Sequence, residues 1–189
     1  MGKLVVSEFV TVDGVFEDPG GAEDFEHGGW SFRFNRGPEG DKFKLDELMA
    51  AGALLLGRVT YEGFAKAWPK MEGTGEFGAT MNSIPKYVVS STLERADWNN
   101  STVLAPDRAM QDVADLKQRV EGDILVAGSG QLVRALMAAE LVDEYRLMVF
   151  PIVLGTGKRL FEDAGSSTPL RLLSARQAGE TLIVTYVPQ

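Results

Sequence analysis

The chain has 189 residues, 44% of them hydrophobic, with a net charge of −8, one histidine and no cysteine. That length suits one domain whose core needs no staples, and the missing cysteine excludes disulfides, thiolate zinc sites and cysteine nucleophiles. The acidic balance and the lack of a basic stripe argue against nucleic acid and anionic membranes as partners.

The opening MGKLVVSEFVTVDG carries Glu8 and Asp13 too early for a signal peptide. No run of 18 uncharged apolar residues offers a membrane span, so a cytoplasmic location is expected. Residues 3–12, rich in Val and Phe, read as a strand. Residues 17–40 hold six glycines, two prolines and several aromatics, and read as a long loop insertion near the mouth of a sheet. Trp30, Phe32 and Phe34 alternate there, a pattern that lines a flat-ring pocket or packs the loop down, the second being favoured. His27 in this acidic stretch is read as exposed, and no metal is expected.

Residues 41–51 place Phe43, Leu45, Leu48 and Met49 on one helical stripe, ended by Gly52. The unbroken run Ala53-Leu54-Leu55-Leu56 fits a strand buried on both faces. A helix is expected from about Thr60 to Ala67, before Trp68 and Pro69. Residues 86–90 (KYVVS) make the next strand. Residues 109–120 carry Val113, Leu116 and Val120 at helical spacing, and residues 123–127 (DILVA) make another buried strand. Leu132, Val133, Leu136 and Met137 mark a helix over 130–139. Residues 143–153 form a longer strand that Pro151 interrupts near its end. Residues 170–176 and 181–187, around Ala178-Gly179-Glu180, read as a terminal antiparallel hairpin.

Strands alternating with helices predict right-handed crossovers and a mainly parallel α/β sheet. Such sheets bind ligands at the carboxyl ends of their strands, so the junctions after each strand carry the functional reading. After ALLL comes Gly57-Arg58-Val59-Thr60-Tyr61; after YVVS comes Ser91-Thr92; after ILVA comes Gly128-Ser129-Gly130-Gln131-Leu132. Glycine and hydroxyl groups at a helix start expose backbone N–H donors to an anion, and Arg58 adds a guanidinium fork suited to phosphate. Gly128-x-Gly130 is only a fragment of the dinucleotide fingerprint, because its third glycine would fall at Val133.

Leu54-Leu55-Leu56-Gly57-Arg58-Val59-Thr60-Tyr61-Glu62 resembles the strand and phosphate turn of dihydrofolate reductase-like proteins. Gly128 to Leu132 resembles their second glycine turn. Pro151 to Phe161 and the opening Thr11-Val12-Asp13-Gly14 resemble stretches of the reductase domain of bacterial riboflavin-biosynthesis deaminase–reductases. The resemblance runs from Lys3 to Val187 and implies one domain over 1–189. That domain would have a three-layer dihydrofolate reductase-like α/β fold, with helices on both faces of a mainly parallel sheet and a C-terminal antiparallel hairpin.

It implies NADPH as cofactor and a small heterocyclic substrate, by kinship a 5-amino-6-(5-phosphoribosylamino)uracil-like compound, in a homodimer. Gly57, Arg58 and Thr60 would meet the pyrophosphate or ribose. Ser90 and Ser91 would lie near the adenosine 2′-phosphate, with Arg95 a further candidate, and Gly128, Ser129, Gly130, Gln131 and Leu132 would wrap the pyrophosphate. No acid follows Ser91 directly, which suits NADP better than NAD. With one histidine and no cysteine, these 189 residues cannot carry the zinc pattern of the deaminase half, which is therefore not expected within them.

Asp13, followed by Gly14, is the first candidate for catalytic contact with substrate, beside the plainer reading of an Asp-Gly turn. Asp41 lies sixteen positions before Gly57, about where dihydrofolate reductases place their substrate carboxylate, although it also reads as a helix N-cap. Gly155, Gly157 and Lys158, with Arg159 beside them, are candidates for holding a phosphorylated sugar. A true dihydrofolate reductase is the alternative enzyme, and a non-catalytic nucleotide-binding or interaction protein that kept the fold is the third reading.

Overall fold

A computed structural model describes residues 2–161 and 167–189. In chain order the elements are β1 (Leu4–Thr11), α1 (Gly37–Met49), β2 (Ala51–Gly57), α2 (Arg58–Ala67), α3 (Gly75–Ser83), β3 (Lys86–Val89), β4 (Ser101–Leu104), α4 (Ala109–Arg119), β5 (Asp123–Val126), α5 (Gly130–Ala138), β6 (Glu144–Phe150), β7 (Leu170–Ala178) and β8 (Thr181–Pro188). The eight strands form one sheet in the order β4-β3-β2-β5-β1-β6-β8-β7. β1 to β6 run parallel, and β8 pairs antiparallel with both β6 and β7. The mainly parallel sheet with a C-terminal antiparallel hairpin is what the strand and helix pattern predicts, and it is the dihydrofolate reductase-like arrangement that the resemblance implies.

The period-two alternation of the buried strands makes the three layers. Leu4, Val6, Ala53, Leu55, Ile124 and Val126 point to one face and pack with Val113 and Leu116 of α4 and Leu132, Val133 and Leu136 of α5. Their neighbours Val5, Leu54, Leu56, Val88 and Leu125 point to the other face and meet Leu48 of α1, Tyr61 of α2 and Met81 of α3. Strands buried on both sides explain the runs VV, LLL and ILV. Each fully buried side chain of this type contributes about 1.5–3 kcal/mol.

A third cluster closes the β6–β8 end. Trp30, fully buried, packs edge-on against Phe150 with ring centroids 5.3 Å apart. Phe34 joins the same ring at 6.2 Å, whereas Phe32 is 80% exposed. Two of the three alternating aromatics therefore pin the loop down. The indole Nε1 donates to the Glu17 carbonyl, which ties the loop to its own start.

Four differences from the sequence expectation have local causes. α1 begins at Gly37, with Arg36 at its N-cap position and Pro38 in its first turn, so residues 37–40 belong to the helix rather than the loop. Asp41 is consequently inside the helix and is no cap. α3 and β4 are additional elements between the expected helix after Gly57 and the helix at Ala109. β6 ends at Phe150 rather than residue 153, just before Pro151.

Candidate functional site

The carboxyl ends of β3, β2, β5, β1 and β6 lie side by side in that order. They bring Ser90 and Ser91, then Gly57 to Thr60, then Gly128 to Leu132, then Asp13 and Gly14, then Gly155 onto one edge. The helix that follows β1, α1, packs through Leu48 on one face of the sheet, and the helix that follows β5, α5, packs through Leu132, Val133 and Leu136 on the other. Adjacent strands that part in this way leave a crevice between them. Here the pairing of β1 with β5 stops at Val6↔Val126, while β1 runs on to Thr11 beside β6 alone. The sheet is thus split between β1 and β5 beyond residue 126.

The two glycine turns touch at the β2–β5 side of this split. A Cβ built on Gly57 would lie 2.4 Å from the Ser129 hydroxyl, and one on Gly128 would lie 2.6 Å from the Thr60 hydroxyl. The Gly57 N–H points to the Gly128 carbonyl at 3.4 Å. Gly128 has φ +78 and is joined to Ser129 by a cis peptide. Neither α2, capped by Gly57, nor α5, capped by Ser129, has a side-chain cap hydrogen bond. Among the described residues, two helix N-termini without a side-chain cap therefore open side by side, a geometry that attracts an anion such as a pyrophosphate.

A half-buried arginine stands behind the second turn. Arg134 Nη1 is buried without a hydrogen-bond partner and lies 3.1 Å from a Cβ position at Gly130. An orphaned guanidinium nitrogen beside an uncapped helix start fits a dianionic ligand. Arg134 was not singled out in the sequence, where it reads as one more charge on an amphipathic helix. Arg58 is exposed, with Nη1 2.8 Å from Glu62 one turn along α2. Gln131 is exposed, but the Leu132 side chain belongs to the core, so only its backbone faces the edge.

At the β3 end, Ser90 is buried and its Oγ accepts from the N–H groups of Thr92 (3.1 Å) and Leu93 (2.9 Å). It shapes the turn and leaves Ser91 as the exposed hydroxyl. Arg95 is exposed and paired with Asp97 at 2.5 Å.

At the β1 and β6 ends, Asp13 is a clamp. Oδ1 accepts from Thr11 Oγ1 (2.6 Å) and from the Leu154 N–H (3.2 Å); Oδ2 accepts from the Gly155 N–H (2.9 Å). The Thr11 hydroxyl, with these amides behind it, holds the Asp13 carboxyl below the usual range. Arg159 adds an Nη2 contact at 3.6 Å and donates Nε to the Asp13 carbonyl. Both carboxylate oxygens are thus committed to joining two loops.

The Gly14–Phe16 segment and the 158–160 segment run antiparallel, through Phe16 N–H to the Lys158 carbonyl, Leu160 N–H to the Gly14 carbonyl, and a bridge between Val15 and Arg159. Lys158 pairs with Glu17 through both its ammonium and its backbone N–H. Burial works against ionising Glu17, but Lys158 outweighs it and holds the carboxyl below its ordinary value. Gly157 is required here: at φ +106, a Cβ would sit 2.8 Å from Val15 and 2.9 Å from Phe25. Asp41 lies apart from all of these, exposed on α1 and paired with Arg36 at 2.5 Å.

One residue the sequence reading passed over stands in the split itself. Glu8 of β1 accepts a hydrogen bond from the Gly128 N–H at 2.5 Å. Burial pushes its carboxyl up to about 8; the Gly128 N–H and Lys44 pull it down, and Glu47 pushes it up further. Lys44 donates to Ser7 (3.0 Å), lies over the Phe9 ring at 5.2 Å and pairs with Glu47, which also accepts from Ser7. Arg146 reaches Glu47 at 4.0 Å and Asp123 at 3.0 Å. The available signal was a carboxylate in the middle of the apolar strand LVVSEFVT, where burial needs a compensating partner.

Comparison with known proteins places this geometry among relatives. A family described as RibD C-terminal domain matches residues 2–184. The uncharacterized protein YyaP of Bacillus subtilis (strain 168) is 29% identical over 177 residues, covering 92% of this chain and 88% of that protein. A protein of Shewanella sp. PV-4 named for riboflavin biosynthesis superposes with a TM-score of 0.74 at 19% identity, over 100% of this chain and 99% of the other. Dihydrofolate reductase from Enterococcus faecalis, solved with NADP(H), gives 0.59 at 15% identity, over 100% and 97%. A diaminohydroxyphosphoribosylaminopyrimidine deaminase/5-amino-6-(5-phosphoribosylamino)uracil reductase from Thermotoga maritima gives 0.63 at 14% identity, and the present chain spans 57% of its length. At these identities the solved structures show a shared fold.

Proposed function

The chain belongs to the RibD C-terminal domain family, and from that premise we propose that it is an NADPH-dependent reductase of a small heterocyclic substrate resembling 5-amino-6-(5-phosphoribosylamino)uracil, the compound for which the Thermotoga maritima protein is named. The observation that carries the reading is the contact of two uncapped glycine turns, Gly57 against Ser129 and Gly128 against Thr60.

Bound along this edge, the cofactor supplies a hydride. The chain's own residues bind and orient it. Arg58, Thr60 and the backbone of Gly128, Ser129, Gly130, Gln131 and Leu132 hold the pyrophosphate, with Arg134 behind them. Ser91, on the turn that Ser90 shapes, takes the 2′-phosphate end. Gly14, Gly155 and Gly157 form the opposite wall, and Lys158, held by Glu17, offers its charge to a substrate phosphate. Asp13 fixes that wall through Leu154 and Gly155 and acts as a positioning residue.

The dihydrofolate reductase reading depends on Asp41, whose carboxylate is exposed and paired with Arg36; the reading has no buried acid at that position. We also propose a homodimer. β7 is an edge strand with Leu172 and Leu173 about half exposed, and Leu182 of β8 lies beside it; an uncovered apolar edge of this kind is open to pairing. Light scattering that returned a monomer mass would remove the dimer.

Fluorescence titration with NADPH, NADH and NADP tests the cofactor reading. Tight NADPH binding with weak NADH binding is expected. Failure to bind any of the three would overturn it and leave a binding or interaction domain that kept the fold.

A further inference from the structure

The split between β1 and β5 contains a carboxyl group that the reading above does not use. Glu8 projects from a stretch of β1 that has lost its β5 partner, and its carboxylate lies against the Gly128 amide in the β5–α5 turn. If the 2′-phosphate end lies at Ser91 and the pyrophosphate at Gly57 and Gly128, the rest of the dinucleotide extends along the edge toward this split. Glu8 is then the acidic group at the end where reduction takes place. Asp13 cannot take that part, because both its oxygens are engaged and its carboxyl is held ionised.

Resting on the proposed reductase reading, we propose that Glu8 faces the nicotinamide end of the crevice and is the proton donor of the reduction. The substrate class is one with a polar double bond, C=N or C=O. The hydride goes to the carbon, the π pair moves onto the nitrogen or oxygen, and the Glu8 carboxyl gives that atom its proton. The products are the oxidised cofactor, a saturated C–N or C–O bond and a Glu8 carboxylate, which recovers a proton from water. The two electrons come from NADPH.

The surroundings suit a donor that must be protonated before reaction and ionised after it. The Gly128 N–H and Lys44 favour the carboxylate, whereas burial and Glu47 favour the acid, and the balance leaves the group at about 8. Lys44 and Glu47 are themselves tied to Ser7, and Glu47 also to Arg146. A donor with its midpoint near the working pH is the efficient case.

The test reads Glu8 directly in the wild-type protein by carbon-13 carboxyl resonance, assigned by its loss in Glu8→Gln or, should that variant not fold, in Glu8→Asp. In the free protein the midpoint is expected near pH 8. With NADP the positive nicotinamide ring stabilises a nearby carboxylate, so the midpoint should fall at least one unit below its value with NADPH. By linkage, NADP should then gain about tenfold in affinity over NADPH on crossing from pH 6 to pH 9. A Glu8 midpoint at the ordinary carboxyl value, or one indifferent to the charge of the bound ring, overturns the proposal. If neither cofactor binds, the reductase reading fails instead, and the free-protein midpoint still reports the carboxyl group.

Turnover of NADPH with 5-amino-6-(5-phosphoribosylamino)uracil adds a second readout. The wild-type kcat should fall above pH 8. Glu8→Gln should lose at least about 100-fold in kcat with little change in NADPH affinity, and its profile should be flat there. Retention of kcat within a few fold in Glu8→Gln would overturn the donor role.

Discussion

Gly57 and Ser129 meet so closely that a methyl group on Gly57 would lie 2.4 Å from the serine Oγ and 2.9 Å from its Cβ. Two turns far apart in sequence are thereby locked into one rim. Gly57→Ala should force them apart, costing about 1–3 kcal/mol of stability, as overpacking does, and weakening NADPH at least tenfold. Thermal unfolding and fluorescence titration of the same preparation check both. A fall in stability with unchanged NADPH affinity would separate the rim from the cofactor.

The two arginines near the rim should respond differently. Arg58→Ala removes an exposed residue that pairs with Glu62 one turn along the helix, a type of pair worth little. Stability should hold while NADPH weakens. Arg134→Met removes a buried nitrogen that has no hydrogen-bond partner among the described residues. Its stability should be unchanged or higher, and its NADPH affinity lower. If Arg134→Met binds NADPH as the wild type does, this guanidinium has no part in holding the cofactor.

Asp13 should matter through protonation as well as substitution. Its carboxyl lies below the ordinary 3.8 in the folded protein. Its contribution is therefore present above pH 3.8 and is lost as pH falls through the lower folded value. Asp13→Asn would turn an amide N–H toward a backbone N–H that now has an acceptor. The variant should melt below the wild type at pH 7, and the two should converge in strong acid. Melting curves between pH 2 and pH 7 decide it.

Glu8 has the opposite sign. Its folded value is raised from 4.5 to about 8, so the native state holds the proton more tightly than the unfolded chain. Wild-type stability should decline as pH rises from about 4.5 through 8. Glu8→Gln carries no such burden and should melt higher than the wild type at pH 9, with the gap closing toward pH 5. An identical pH dependence in both proteins would mean that Glu8 ionises freely in the fold.

The parallel core was legible because its strands are buried on both faces and leave unbroken apolar runs, as Leu54-Leu55-Leu56 does. The glycine turns were legible because tight strand-to-helix junctions follow such strands, and glycine permits them. α3 was hidden by its composition: GEFGATMNS carries two glycines and buries only Gly78 and Met81. β4 is four residues of half-exposed edge, STVL, with too little periodicity to stand out. The start of α1 was missed because Gly37-Pro38-Glu39-Gly40 reads as loop, although proline is well placed in a first helical turn.

In the site, the sequence singled out Asp13 for its place at the end of the first strand before Gly14 and left Glu8 aside. The partners of the two carboxylates differ: four donors surround that of Asp13, whereas Glu8 accepts from the Gly128 amide beside the split. No periodicity in a single sequence reports where two paired strands part company, and that parting gives Glu8 its setting. Ser90 shows the same limit, since its hydroxyl is occupied by the turn that it shapes.

The position of β1 has a consequence for how the molecule comes into being. Residues 4–11 are made early, yet both of their neighbours in the sheet, residues 123–126 and 144–150, are made much later. A nascent chain emerging from the ribosome must keep this apolar segment unpaired while the elements between them are translated. Pairings so distant in sequence slow folding and leave strand edges exposed meanwhile. Synthesis past Phe150 therefore sets the moment at which the centre of the molecule can close.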